Sequence, residues 1–489
     1  MKAAVIGSGI GGLAIAIRLA LKGYEVTVYE QNDRAGGKIS EIRSGGYRFD
    51  TGPSLFTLPE LANELFELSG KAMKDYFEYS KLDVICSYFY QDGTRLQAYS
   101  DPVLFAREVE RQTGEPASRI MHHLKKCREQ YDLTAEIFLF NSLHKLKNYF
   151  HWRILKGLMQ FHKVDAFTTM HKRNRSRFTD NRVIRLFDRY ATYNGSNPYV
   201  APATLNVISH LEHNLGAYFP TRGMRSLAGA LESLARDNGV RFLFSHKVDR
   251  IVSSGNRTTG LVSRGTFQPF DLVGSDVDIN YFYKDLLPGE TSTRDRTGNL
   301  SSSALIFYWG VRRQTEKLGL HNILFSDRYE DEFRHIFDGR SVFDDPTVYI
   351  FISSRAVPSD APEHCENWFV MINVPPDTGQ NWKEITAQAR RNIIRKINRM
   401  LNIDIEDGIE FEETGTPLTI ESSTMSWKGA LYGDHSNSRY SAFLRHPFRH
   451  KSIKNLYFVG GSVHPGGGIP LCLASAKIAD REIQAVKET

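Results

Sequence analysis

Chemistry is suggested first by a run of glycines. Gly7-Ser8-Gly9-Ile10-Gly11-Gly12 has the G-x-G-x-x-G spacing, and Glu30 follows eighteen residues after its last glycine. Glycines so spaced suit a dinucleotide pyrophosphate. Gly7 permits a tight turn, Gly9 lets backbone approach the phosphates, and Gly12 lets helix pack on strand. The free N–H groups of the following helix face the anion. Glu30 is placed to accept the hydroxyls of an unphosphorylated adenosine ribose, as in FAD or NAD. A second run, Gly460-Gly461-Ser462-Val463-His464-Pro465-Gly466-Gly467-Gly468-Ile469-Pro470, stands near the C-terminus. It too lets backbone come close to an anionic or flat ligand. There is no Ser-His-Asp signature. His122 and His123 are adjacent, and Cys86, Cys127, Cys365 and Cys472 form no CxxC, so no metal is expected. No catalytic acid or base stands out.

The elements that must hold these residues are legible around both runs. Residues 2–6 (KAAVI) read as a buried strand, Leu13 to Lys22 as a helix ended by Gly23, and Val26 to Tyr29 as a second strand closing on Glu30. Asn455 to Val459 reads as a strand, with a helix from Leu471 to Val486 beyond the glycines. Between them, Pro102 to about Leu215 is helical in pattern. Leu143, Leu146, Phe150, Ile154 and Leu158 recur at helical spacing, with Lys145, Lys147, Arg153, Lys156 and Lys163 among them. A helix from about Leu227 to Leu234 leads to strands at Val240–Phe244, His246–Ile251 and Phe270–Asp278. Ser303–Val311, Thr347–Ser353 and Asn367–Val374 read as buried strands.

Composition bounds the classes. The chain has 489 residues, 41% apolar and 24% charged, enough for two to four structural units and a large core. Four scattered cysteines make a disulfide scaffold implausible and fit a reducing compartment. The net charge of +6 is too mild to argue for nucleic acid. Its distribution is uneven, with twelve Lys/Arg against three Asp/Glu from Asn141 to Tyr190. A basic amphipathic helix there can lie on an anionic membrane surface. The longest uncharged stretch, Leu456 to Ala476, is glycine-rich with two prolines and would make a poor spanning helix. The expectation is a cytoplasmic protein, peripherally associated with the cell membrane.

Three blocks carry a family resemblance: Gln31 to Lys38 (QNDRAGGK), Phe49 to Ser54 (FDTGPS) and the C-terminal glycine run. With the first fingerprint they resemble the flavin amine oxidase and carotenoid desaturase superfamily. Many flavin oxidases have Gly-Asp where this chain has Gly461-Ser462, which points toward the carotenoid branch. The run from Phe443 to Leu473 is most similar to bacterial hydroxycarotenoid 3,4-desaturases. The resemblance covers nearly the whole chain.

The resemblance implies an α/β fold: a Rossmann-like FAD-binding domain, a discontinuous sheet-plus-helix substrate domain and a helical membrane-facing region. Residues 1–95, 216–280 and 421–489 would bind FAD. Residues 96–215 would form the helical region and 281–420 the substrate sheet. It implies FAD contacts from Gly7, Ser8, Gly9, Ile10, Gly11, Gly12, Glu30, Gln31, Gly36, Gly37, Lys38, Pro53, Ser54, Val248, Gly461, Ser462, Gly468, Ile469 and Pro470. Arg189, Tyr190 and Tyr193 are polar candidates for the substrate tunnel. His321 joins them, although a structural role competes for it. The implied activity is removal of two hydrogens from a carotenoid C–C bond, at C3–C4 of a 1-hydroxycarotenoid, with oxygen or a quinone as final acceptor. Phytoene desaturation, ketolation, isomerisation and a non-catalytic carotenoid carrier are the alternatives.

Overall fold

The computed structural model describes every residue except 140, 142–164, 290–298, 439 and 487–489. The basic run from Leu143 to Leu158, and Lys163, therefore lie outside the described residues. Two main sheets organise the rest. The first is parallel, in the order Leu456–Phe458, Leu272–Ser275, Lys2–Ile6, Glu25–Tyr29, Arg241–Leu243. Strands from three distant parts of the chain thus meet side by side, and their C-terminal ends share one edge. The expected strand at His246–Ile251 does not join them. Val248–Ser254 instead opens a three-stranded antiparallel sheet with Arg257–Ser263 and Thr266–Pro269.

The fingerprint helix spans Ile10–Leu21, starting three residues before the expected Leu13. The reason is that Gly11 and Gly12 already occupy helical positions. Ile10 through Leu19 are all buried, because the helix packs between the parallel sheet and the helices Arg225–Asp237 and Ile469–Asp480. The last of these ends at Asp480 rather than Val486. Lys22 lies against its final turn, its Nζ donating to the carbonyls of Asp480 and of Ile483 (2.7 Å). A cation there satisfies carbonyls that have no partner within the helix.

The second sheet is mixed and seven-stranded: Ile409–Gly415, Ser303–Val311, Glu366–Val374, Val348–Ile352, His321–Leu324, Val84–Phe89 and Arg95–Tyr99. Only the contact between His321–Leu324 and Val84–Phe89 is parallel. All nine residues of Ser303–Val311 are buried, and strand alternation sorts them into two jobs. Leu305, Phe307, Trp309 and Val311 face a core closed by the helix Trp382–Leu401. Ala304, Ile306 and Tyr308 face a cavity on the other side. Val84–Phe89 extends this sheet although it lies within residues 1–95, and Arg95–Tyr99 follows it as the edge strand. Val84–Phe89 pairs on one side with the neighbouring Arg95–Tyr99 and on the other with His321–Leu324, more than two hundred residues away, which local pattern does not reveal. Helices at Pro102–Thr113, Ala117–Phe138, Met170–Arg177 and Asn181–Asp188 build the helical part. No described helix is long and apolar enough to cross a membrane.

Candidate active site

The fingerprint turn sits at the C-terminal edge of the parallel sheet, where open α/β folds hold ligands. Two of its glycines are fixed by close approach. A Cβ on Gly12 would lie 2.1 Å from the Gly7 carbonyl oxygen, and one on Gly11 would lie 2.8 Å from the Gly460 nitrogen. The second contact joins the two glycine runs directly. Glu30 is 5% exposed. Its Oε2 accepts from the Ser8 N–H (2.8 Å) and hydroxyl (2.7 Å), and its Oε1 from the Asn32 N–H (2.9 Å). The carboxylate is thereby locked at the end of the second strand.

A cavity of about 220 Å³ opens here. Gly7, Ser8, Gly9, Ile10 and Gly11 line it on one side; Glu30, Gln31, Gly36, Gly37, Lys38 and Pro53 on another. Val248, Gly461, Ser462, Gly468 and Ile469 complete the sequence-derived lining. Gly12 stands behind, against Gly7. Ser54 and Pro470 line a neighbouring cavity instead. Lys38 Nζ donates to the Leu431 carbonyl (2.6 Å), and desolvation draws its ammonium below the usual lysine range. Ser462, standing where a carboxylate is common, accepts from the Ile279 N–H (3.0 Å) through Oγ.

Sequence reading missed Asp276, Asp278, Tyr432 and Cys472, all of which line this cavity. Asp276 Oδ2 accepts from the Gly12 N–H at 2.9 Å, on the first turn of the fingerprint helix. Desolvation, with the charge of Glu30 adding to it, pushes Asp276 up to about 7 against the pull of the Gly12 N–H and Lys38. Burial pushes the Cys472 thiol up to about 12. The sequence marks Asp276 only as a turn acid after a strand; the pairing of Leu272–Ser275 with Lys2–Ile6 puts it beside the fingerprint. The cleft fits a flavin dinucleotide. Glycine backbone would meet its phosphates, the locked Glu30 carboxylate would accept its ribose hydroxyls, and the Lys38 ammonium would offset its negative charge.

A second cavity of about 940 Å³ shares Gly37, Lys38, Pro53, Leu431, Tyr432 and Gly468 with the first. Ala304, Ile306, Tyr308, Phe369 and Met371 from the mixed sheet form part of its wall. Exposed Asp33, Arg34, Ser422 and Ser423 surround one part of it. Elsewhere its wall is polar but buried. There Arg189 pairs with Glu212 (3.1 Å), donates to Tyr88 Oη (2.7 Å) and stacks on the Tyr190 ring (4.4 Å). Tyr193 also donates to Glu212. Arg189, Tyr193 and His321 line the cavity. Tyr190 does not; it is fully buried behind the wall, its hydroxyl held by Glu212 (2.8 Å) and His213 (2.9 Å). His321 Nδ1 meets Tyr349 Oη at 2.8 Å, and that hydroxyl meets Ser54 Oγ at 2.6 Å. Burial, with the charge of Arg189, pulls His321 down to about 3, so its imidazole is neutral.

Comparison with known proteins agrees with this arrangement. A 1-hydroxycarotenoid 3,4-desaturase of Flavobacterium sp. (strain P99-3) is 47% identical over 98% of both chains. A 4,4'-diapolycopene oxygenase of Methylomonas is 30% identical, covering 98% of this chain and 97% of that one. An oxidoreductase from Methanosarcina mazei superposes with a TM-score of 0.65 at 15% identity, over 99% of this chain and 100% of that one. Putrescine oxidase superposes with a TM-score of 0.64 at 13% identity, over 99% and 98%. The fold is thus that of the flavin amine oxidases, and the cofactor is FAD. The model of the flavin containing amine oxidoreductases matches residues 10–483, and the chain belongs to that family as an FAD-dependent oxidoreductase.

Proposed function

We propose that this enzyme desaturates a carotenoid, forming the C3=C4 double bond of a 1-hydroxycarotenoid. The observation that carries the reading is full-length similarity, at 47% identity, to a protein of that activity. The architecture supports it: a cavity of about 940 Å³, walled in part by the apolar residues of the mixed sheet, abuts the dinucleotide cleft along Lys38, Pro53 and Gly468. FAD, when bound, supplies the two-electron acceptor for the reaction, and oxygen or a membrane quinone takes the electrons onward. The residues of the chain position the bond. Ile306, Tyr308, Phe369 and Met371 hold the polyene and exclude water, while Glu30, Lys38 and the two glycine runs hold the cofactor. The same reading assigns residues 1–95, 216–280 and 421–489 to the cofactor-binding part and 281–420 to the substrate sheet.

A carotenoid resides in the bilayer, so we also propose peripheral attachment to the cytoplasmic face of an anionic membrane. Much of the charge described between 165 and 190 is already paired: Arg173 and Arg177 with Asp165, Arg182 with Asp180, and Arg189 with Glu212. The docking surface therefore narrows to residues 142–164, which carry five Lys/Arg and no Asp/Glu. Each such charge gains about 1 kcal/mol near anionic lipid. Replacing Lys145, Lys147, Arg153 and Lys156 by Ala should leave the protein in the supernatant when anionic liposomes are pelleted. Undiminished pelleting refutes the surface.

Pigment analysis of cells making lycopene, γ-carotene or their 1-hydroxy derivatives, with and without the protein, tests the reaction. A red-shifted product two mass units lighter, formed from the hydroxylated precursor alone, is expected. Conversion of phytoene, oxygen insertion or isomerisation refutes the 3,4-assignment. Bound FAD with no change in any pigment favours a carrier.

A further inference from the structure

His321 is ring-shaped packing with one polar atom left over. Its imidazole stacks on Phe351 at 5.1 Å and 12°, and Phe219 meets it edge-on at 6.5 Å. A phenylalanine would fill such a niche. The residue is 5% exposed, and Nε2 has no hydrogen-bond partner among the described residues. An unpaired buried polar atom is destabilising, so it marks a place where a partner is to arrive. His321 lines the larger cavity, so the partner can come from whatever fills it.

The other ring nitrogen decides what Nε2 can offer. Tyr349 Oη lies 2.8 Å from Nδ1 and 2.6 Å from Ser54 Oγ. A phenol is a stronger acid than a serine hydroxyl or a neutral imidazole. Tyr349 therefore donates to Nδ1 and Ser54 donates to Tyr349. That places the ring proton on Nε2, a buried donor of a residue that lines the cavity. The chain of bonds starts at Ser54, next to Pro53, which lines both cavities. The donor thus belongs to the wall that runs from the dinucleotide cleft. A hydroxyl on C1 of a carotenoid stands three bonds from C3, so an anchor for that oxygen must lie close to the reacting bond.

We propose that His321 Nε2–H donates to the terminal hydroxyl of the substrate and is the specificity-determining residue for hydroxylated end groups, with Tyr349 and Ser54 as positioning residues that fix its tautomer. This rests on the carotenoid reading above and names the feature of the substrate that the site recognises. An end group lacking the hydroxyl leaves the buried Nε2–H unpaired, which disfavours it roughly 10- to 100-fold.

The test uses purified FAD-loaded protein and compares kcat/KM on a 1-hydroxycarotenoid and on its unhydroxylated parent. Equilibrium binding of both is read from the shift of the polyene absorption band. In His321→Phe the ratio of the two kcat/KM values, and of the two affinities, should fall roughly tenfold or more, with His321→Gln recovering part of it. Tyr349→Phe keeps the imidazole but frees its tautomer, and should lower the ratio severalfold; it decides the matter should His321→Phe not fold. An equal loss on both substrates assigns His321 a structural role and overturns the proposal, as does an unchanged ratio. Wild-type protein that turns over neither carotenoid overturns the function itself and the anchor with it. A wild-type enzyme that is active without preferring the hydroxylated substrate overturns the anchor alone.

Discussion

Asp276 offers the sharpest test of the electrostatics of the cofactor cleft. Its carboxyl is raised from 3.8 to about 7 by desolvation and by Glu30. An acid held above its unfolded value binds its proton more tightly in the folded chain. Stability of the FAD-free protein therefore falls as pH rises from about 4 to about 7, and the loss is complete above that. Three units correspond to at most about 4 kcal/mol, and to about 2 kcal/mol once water in the cleft screens the partly exposed carboxylate. Unfolding entropy scales with length, so this is a change of about 2–4 °C in Tm for a chain of this size. Asp276→Asn keeps the shape and an oxygen to accept the Gly12 N–H, and removes the charge. The Tm of the FAD-free variant minus that of wild type should be near zero at pH 4 and rise to about 2–4 °C by pH 8. His213 and His321, both pulled down to about 3 by burial, act in the opposite sense. Their stability is present above about 6.5 and is lost as pH falls, but it cancels in the difference between the two proteins. A difference that stays flat from pH 5 to pH 9, or that is largest at pH 5, refutes the argument.

Two further outcomes follow from packing. Gly12→Ala puts a methyl 2.1 Å from the Gly7 oxygen and must push the fingerprint helix off its strand, so the purified variant should carry little flavin by its 450 nm absorbance. A full complement of flavin would show that the turn is not held by this contact. Arg48 is buried and holds Asp50 (2.7 Å), Asp360 (3.0 Å) and Glu41 (2.6 Å), while Asp50 accepts from the Met224 and Arg225 N–H groups. Arg48→Met strands buried carboxylates and should destabilise the protein by about 3–5 kcal/mol in denaturant unfolding. A loss below about 1 kcal/mol would show that the cluster is not one network.

Features whose meaning is local were readable in order along the chain. Gly7 to Gly12 followed by Glu30 marks a strand–turn–helix–strand unit, because each glycine answers a short-range steric demand. The GGK at Gly36 and the second glycine run carried enough pattern to indicate a flavin. Pairing and charge environment were different. Nothing near Val84 shows that its strand joins His321–Leu324, since a distant strand partner is chosen by burial of faces that only the assembled sheet presents. Asp276 reads as an ordinary turn acid until Leu272–Ser275 pairs with Lys2–Ile6 and carries it onto Gly12. Tyr190 looked as good a tunnel residue as Arg189, yet packing turned it behind the wall. His321 could be weighed only as core or ligand until the fold put it in the wall of a cavity with Nε2 buried and unpaired among the described residues. The sequence by itself determined the cofactor cleft, because backbone sterics are written residue by residue. The tertiary structure decided which buried polar atoms lack partners, because that depends on what every other element has already satisfied.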